Sequence, residues 1–139
     1  MRDENRQLNV EELVRAHFDY SAGNPGKWAE LLADDASWEF PYGDAVGLKT
    51  LEGKPAMVNL VSTFMEPLSS YAYGEPSIHL LPDGSSAVAE FSGQGIVTAN
   101  GRTYANKYVL FVETAGGKIT KLREYFNPAA IKAAFGEGA

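Results

Sequence analysis

The chain contains no cysteine. That removes disulfides, thiol nucleophiles and the commonest structural zinc sites together. Histidine is nearly absent too: His17 and His79 are the only two, far apart in sequence, so there is no metal-ligand spacing and no metal is expected. No apolar run approaches the about 18 residues of a membrane helix, and the segment Met1 to Gln7 is charged, so neither a membrane span nor a signal peptide is expected. Basic clusters are missing as well. With 12 Lys and Arg against 18 Asp and Glu, a net charge of −6, the chain is a poor partner for nucleic acid or anionic membrane, and the cytoplasm is its default location.

What is present is ordinary for a globular protein: 45% hydrophobic and 22% charged residues in 139, enough for a single domain over residues 1–139. Asn9 and Glu12 have capping-box spacing, and Leu8 with Leu13 matches a hydrophobic staple, so a helix starts there. Leu13, Val14, His17, Phe18 and Ser21 continue it on one face until Gly23. Asn24-Pro25 starts a second helix with Trp28, Leu31 and Leu32 as its buried side. Ala33 to Ala36 reads as a polar break before a short strand, Ser37 to Phe40, and Pro41 to Lys49 as an irregular loop. A third helix is expected from Pro55 to Phe64.

From Ser77 the pattern alternates. Strands at 78–81, 87–98, 103–113 and 118–126 are separated by Pro82-Asp83-Gly84, Asn100-Gly101 and Gly116-Gly117, giving an antiparallel meander with easiest bending at Gly93-Gln94-Gly95. Asn127-Pro128 caps a last helix ended by Gly136. Helices followed by a long sheet describe an α+β domain, with N-terminal helices packed on a strongly bent antiparallel sheet that wraps them as a cone.

Treating Thr114 to Gly117 as a four-residue loop pairs Glu113 with Lys118, Val109 with Leu122 and Lys107 with Glu124, and the next hairpin pairs Gln94 with Lys107. One face then holds Ser92, Gln94, Lys107, Val109, Phe111, Leu122, Glu124 and Phe126. The other holds Phe91, Gly93, Tyr104, Asn106, Tyr108, Leu110 and Val112. A one-residue slip exchanges faces. Both mix polar and apolar side chains, so one is expected against the helices and the other partly against a second subunit.

Ser21 to Asn24, Leu32 to Ala36, Leu51 to Lys54, and Gly117-Lys118-Ile119 through Arg123-Glu124-Tyr125, in this order, resemble the SnoaL-like group of the nuclear transport factor 2-like superfamily, which includes the ketosteroid isomerases. The resemblance implies a cone-shaped α+β barrel (cystatin-like) with a ligand pocket, usually a homodimer through the sheet. Around Asn106, Gly117 to Ile119, Arg123-Glu124 and Asn127 the chain is similar to phenazine biosynthesis A/B proteins, whose pocket acid/base glutamate maps onto Glu124, implying that the Glu124 face is concave. Their pocket histidine has no counterpart, since Leu60 falls near it. Ketosteroid isomerases use an aspartate base with a tyrosine and a protonated aspartate as oxyanion hole. Those positions fall on Phe40, Ala16 and Val109, so that mechanism is not carried over.

Glu124 reads either as a proton carrier in an apolar cone or as half of a cross-strand ion pair with Lys107. His17 reads as a second proton carrier or a satisfied core histidine. Tyr20, Trp38, Phe40, Phe64, Phe111 and Phe126, with Val109 and Leu122, form either walls for a flat ligand or simply core. Ser92 and Gln94 are candidates for ligand hydrogen bonds. His79 reads as structural. The implied function is cofactor-free acid/base chemistry, of isomerase, dehydratase or cyclase type, on a small cyclic or polyketide-like molecule. The alternative is a non-catalytic ligand-binding or dimerising module.

Overall fold

The first helix begins where its cap is written. Asn9 Oδ1 accepts the Glu12 amide at 2.9 Å and Glu12 Oε1 accepts the Asn9 amide at 2.9 Å, so both partners of the capping box are made. The computed structural model describes residues 7–136. The charged start of the chain, residues 1–6, therefore lies outside the described residues. α1 (Val10–Tyr20) buries Val10, Leu13, Val14 and His17, and α2 (Pro25–Ala29), capped by Asn24, buries Trp28. β1 (Leu32–Glu39) follows, then a short 3-10 turn, β2 (Leu51–Glu52), α3 (Lys54–Met65), β3 (Leu68–Tyr73), β4 (Ser77–Leu80), β5 (Ser86–Val97), β6 (Thr103–Ala115), β7 (Lys118–Phe126) and α4 (Pro128–Phe135). No helix among the described residues is long and apolar enough to cross a membrane.

The sheet runs β2-β1-β7-β6-β5-β3, with β4 also on β5. It is bent, with the helices and the core on its inner side, as an α+β fold requires. Three details differ from the sequence reading. β1 starts at Leu32, so the polar stretch Ala33 to Ala36 lies inside the strand, where its register against β7 shifts between Leu32 and Ser37. Asp34 and Asp35 stand out to solvent there, and Ala36 is buried. β1 pairs β7 in parallel, so the sheet is not purely antiparallel. And β3 is a strand where none was expected: Ser70 has φ of +56° at a register shift between Ser69 and Ala72, which breaks the alternation. The irregularity sits in β3. β5 pairs with β6 without a shift through Gly93-Gln94-Gly95.

The decisive correction is in the last hairpin. Gly116 and Gly117 both have positive φ, +59° and +78°, so the turn has two residues and pairs Ala115 with Lys118. A two-residue change preserves the face of each side chain. Past the turn, however, Thr114 pairs with Ile119 while Glu113 pairs with Lys121, leaving Thr120 as an extra residue in β7. That single bulged residue inverts the parity. Glu124 therefore lies opposite Leu110, not Lys107, and shares its face with Tyr104, Asn106 and Tyr108. At the preceding hairpin, Gln94 pairs with Ala105 and Ser92 with Lys107, an even offset that changes no face.

Candidate functional site

The inner side of the bent sheet and the helices enclose a cavity of about 100 Å³. α1 supplies His17, with Ser21 just past its end, β1 supplies Trp38, α3 supplies Leu60, Val61, Phe64 and Met65, β3 supplies Tyr71 and Tyr73, and Glu124 and Phe126 come from β7. Phe40, Leu48, Phe91, Tyr108 and Ile131 complete the wall. No lysine or arginine lines it.

Glu124 is half-buried. Its Oε1 accepts a hydrogen bond from Trp38 Nε1 at 3.2 Å, across the parallel β1/β7 pair two residues on from the Trp38–Leu122 register. Burial pushes its carboxyl up to about 7, and the indole donor only partly offsets this. The group is thus poised to hold or release a proton at neutrality. The Tyr71, Tyr73, Tyr104 and Tyr108 phenols are all held above the usual tyrosine range, chiefly by burial, with the nearby Glu124 charge adding to it. They are O–H donors throughout the physiological range.

His17 is 3% exposed, and burial lowers its imidazole to about 4. Its Nδ1 accepts from Trp28 Nε1 at 2.9 Å. A neutral ring with Nδ1 accepting carries its proton on Nε2, so the histidine lone pair is already used. Ser21 and Tyr73 share a hydroxyl hydrogen bond of 2.7 Å on the same wall. Among the described residues no three His, Asp or Glu side chains converge as a metal centre.

Of the residues singled out in the sequence, Glu124, His17, Trp38, Phe40, Phe64 and Phe126 meet at the cavity. Ser92, Gln94 and Lys107 are exposed on the outer face, and Val109 and Phe111 are half-buried there. The Thr120 bulge put them on the wrong side of the expected register. Lys107 stands beside an outer hollow with Glu75 and Glu90, so the expected Lys107–Glu124 ion pair does not exist. Phe111 instead lies under the Arg123 guanidinium, 4.5 Å from its ring centre. Leu122 is fully buried in the core, and Tyr20 is half-buried against the core, away from the cavity lining, with Lys27 Nζ 5.8 Å above its ring. The sequence reading passed over Tyr71, Tyr73 and Tyr108. The sequence pattern does not show β3, and it places Tyr104 and Tyr108 on the opposite face, whose aromatic residues beside Gly93 are the available signal.

That glycine is a spatial requirement. A Cβ at Gly93 would stand 2.0 Å from the Tyr71 hydroxyl oxygen, and one at Gly95 about 3.1 Å from the same ring. Gly93→Ala is expected to displace Tyr71 and to cost about 1–3 kcal/mol of stability by overpacking. Urea denaturation measures this, and an unchanged midpoint would show that Tyr71 has room to move.

The profile of the SnoaL-like domain family matches residues 10–122. The uncharacterised protein YesE of Bacillus subtilis (strain 168) is 32% identical over 109 residues, 78% of this chain and 74% of that one. An uncharacterised PhzA/B-like protein of Pseudomonas aeruginosa, PA3332, is 26% identical over 106 residues, 76% of this chain and 74% of its own. Among solved structures, a candidate isomerase from Bacillus subtilis superposes with a TM-score of 0.82 at 32% identity, covering 94% of each chain.

Proposed function

The chain belongs to the SnoaL-like domain family, and from that premise we propose that it is a cofactor-free acid/base enzyme of isomerase, dehydratase or cyclase type, with Glu124 as proton carrier. One observation carries the reading: a carboxyl group, pushed up to about 7 by burial, at the wall of a cavity lined by aromatic and aliphatic side chains that include tyrosines of β3 and β6. Isomerisation, dehydration and ring closure each need a proton taken from one atom and returned to another, in a site that fixes a small ring and excludes water. Trp38 orients the carboxyl through its indole donor. The aromatic walls suit a flat cyclic or polyketide-like molecule. His17 contributes a fixed N–H, not a base.

The test needs no natural substrate. α-Tetralone, a flat uncharged ketone, exchanges its α-protons slowly in D2O, and NMR follows their loss. The wild-type protein should accelerate exchange, with a rate rising through an inflection near pH 7 as Glu124 ionises. Binding without acceleration, or acceleration that Glu124→Gln retains, would instead favour a ligand-binding module.

A further inference from the structure

The cavity is small for a ring. A single benzene molecule is known to fill a cavity of roughly 150 Å³, and sites for drug-sized ligands begin at roughly 300 Å³. At about 100 Å³, the space beside Glu124 receives a flat cyclic molecule only if one of its walls moves. The walls are not equally fixed. Those on the sheet belong to hydrogen-bonded strands, α1 buries Val10, Leu13, Val14 and His17, and α3 buries Met57 and Val61. The loop that carries Leu48 is locked on itself. The Gly43 N–H donates to the Phe40 carbonyl at 2.9 Å, the Leu48 N–H donates to the Gly43 carbonyl at 2.9 Å, and a Cβ at Gly43 would run into the Leu48 carbonyl oxygen. α4 is the exception. Of its eight residues only Ala134 is buried, and its share of the cavity wall is Ile131.

Side-chain hydrogen bonds seat α4 at each end. At its start, the Asn106 amide donates to the Asn127 carbonyl and accepts the Asn127 N–H, both at 3.0 Å. At its finish, the last carbonyls of a helix have no partner within it. Two of them are taken by the β5–β6 turn: Asn100 Nδ2 donates to the Ala134 oxygen at 3.0 Å, and Arg102 Nη1 to the Ala133 oxygen at 3.2 Å. Asn100 Oδ1 accepts the Arg102 amide at 2.9 Å, which fixes the side chain with its nitrogen toward the helix. Asn106 is 5% exposed, whereas Asn100 and Arg102 stand in solvent. Water readily replaces the exposed bonds and not the buried ones. The helix thus has a hinge at Asn127 and a latch at Ala133 and Ala134.

We infer that α4 is a latched cover over the cavity: release from Asn100 and Arg102 lets it swing about Asn127, withdraws Ile131 and admits an uncharged ligand larger than the closed space. No lysine or arginine lines the cavity to meet an anion, and Ile131 is the side chain that limits ligand size. The size requirement rests on the flat cyclic ligand proposed above, and the cover itself does not.

Because the chain has no cysteine, Val61→Cys places a single thiol on the cavity wall. Val61 is 4% exposed, so iodoacetamide, followed by mass spectrometry, modifies that thiol only as the cavity opens. In this background Asn100→Asp keeps the acceptor that the turn needs, loses the donor and sets a negative charge against the helix carbonyls. Modification should be about tenfold faster. Arg102→Ala should speed it about 2- to 5-fold. Asn9→Ala, which removes the α1 cap at a comparable cost to global stability, should leave the rate unchanged. α-Tetralone should bind each latch variant more tightly by the same factor as the labelling, because the competent fraction has risen by that factor. Xenon, which fits the closed space, should bind all of them alike by xenon NMR. Ile131→Ala should tighten α-tetralone with the latch intact. Labelling that ignores both latch variants, or that Asn9→Ala speeds as much as Asn100→Asp does, overturns the cover. Latch-dependent labelling in a protein that binds neither α-tetralone nor xenon keeps the cover and sinks the ligand reading.

Discussion

Glu124→Gln should slow tetralone exchange about 10²- to 10⁴-fold, the usual contribution of one positioned acid/base group. The same variant should stabilise the fold in alkaline solution. The native carboxyl is raised from its ordinary 4.5 to about 7, so the folded state favours the protonated form. Stability from this group is complete below about 4.5, falls as pH rises toward 7 and is absent above it. A shift of this size corresponds to at most about 3 kcal/mol, and less because Glu124 retains some contact with solvent, so about 1–3 kcal/mol is expected. Glutamine resembles the protonated acid and never ionises. The two proteins should therefore unfold at similar urea concentrations at pH 5 and diverge by pH 9, with the variant more stable. A variant less stable at both pH values would mean that the carboxylate is satisfied in the fold and the site is not poised as described.

The second expected result has the opposite slope. His17 is lowered from 6.5 to about 4, so the folded state holds it neutral while the unfolded chain takes up a proton below 6.5. Its contribution is complete above 6.5 and is lost as pH falls through 4, about 3 kcal/mol in all. The cause is burial against Trp28, whose indole N–H requires an unprotonated Nδ1. His17→Gln, which keeps a side-chain acceptor near Trp28 and cannot titrate, should flatten the acid limb. Between pH 4.5 and 6.5 the two wild-type groups oppose one another, so wild-type stability should be nearly level there. Glu124→Gln should instead climb with pH and His17→Gln should fall. Urea midpoints of the three proteins at pH 4, 5, 6.5 and 9 decide the matter. An acid limb unchanged in His17→Gln would assign it to the carboxylates instead.

The three helix caps and the strand-rich second half were legible because they rest on local chemistry: Asn9 and Glu12, Asn24-Pro25, Asn127-Pro128, and alternating residues between glycine turns. Glu124 lines one cavity with Trp38, Phe40, Phe64 and Phe126, an inward placement of Glu124 that the family resemblance implied and the local pattern did not. What was not legible turns on one residue. The chemistry of Thr120 does not announce a bulge; its hydroxyl bonds the Glu113 carbonyl across the strand pair at 3.1 Å, a contact that exists only once the register is set. Missing it reversed β5 and β6 against β7 and exchanged Ser92, Gln94 and Lys107 for Tyr104, Asn106 and Tyr108. β3 was hidden in the same way, since Ser70 in a left-handed conformation spoils the period that would have announced Tyr71 and Tyr73. In both places a tertiary irregularity overrode the local pattern.

The position of β7 in the strand order has its own consequence. β7 is hydrogen-bonded on both flanks, to β1 and β6, whereas β3 is the last strand of its side and is held along one flank only. Glu124 is therefore built into a strand held on both flanks, and two of the four phenols, Tyr71 and Tyr73, into an edge strand. Substitutions in β3 can recut the ligand wall while leaving the carboxyl where it is. The border of the sheet can in this way change the fit of a ligand while its centre holds the Glu124 carboxyl in place.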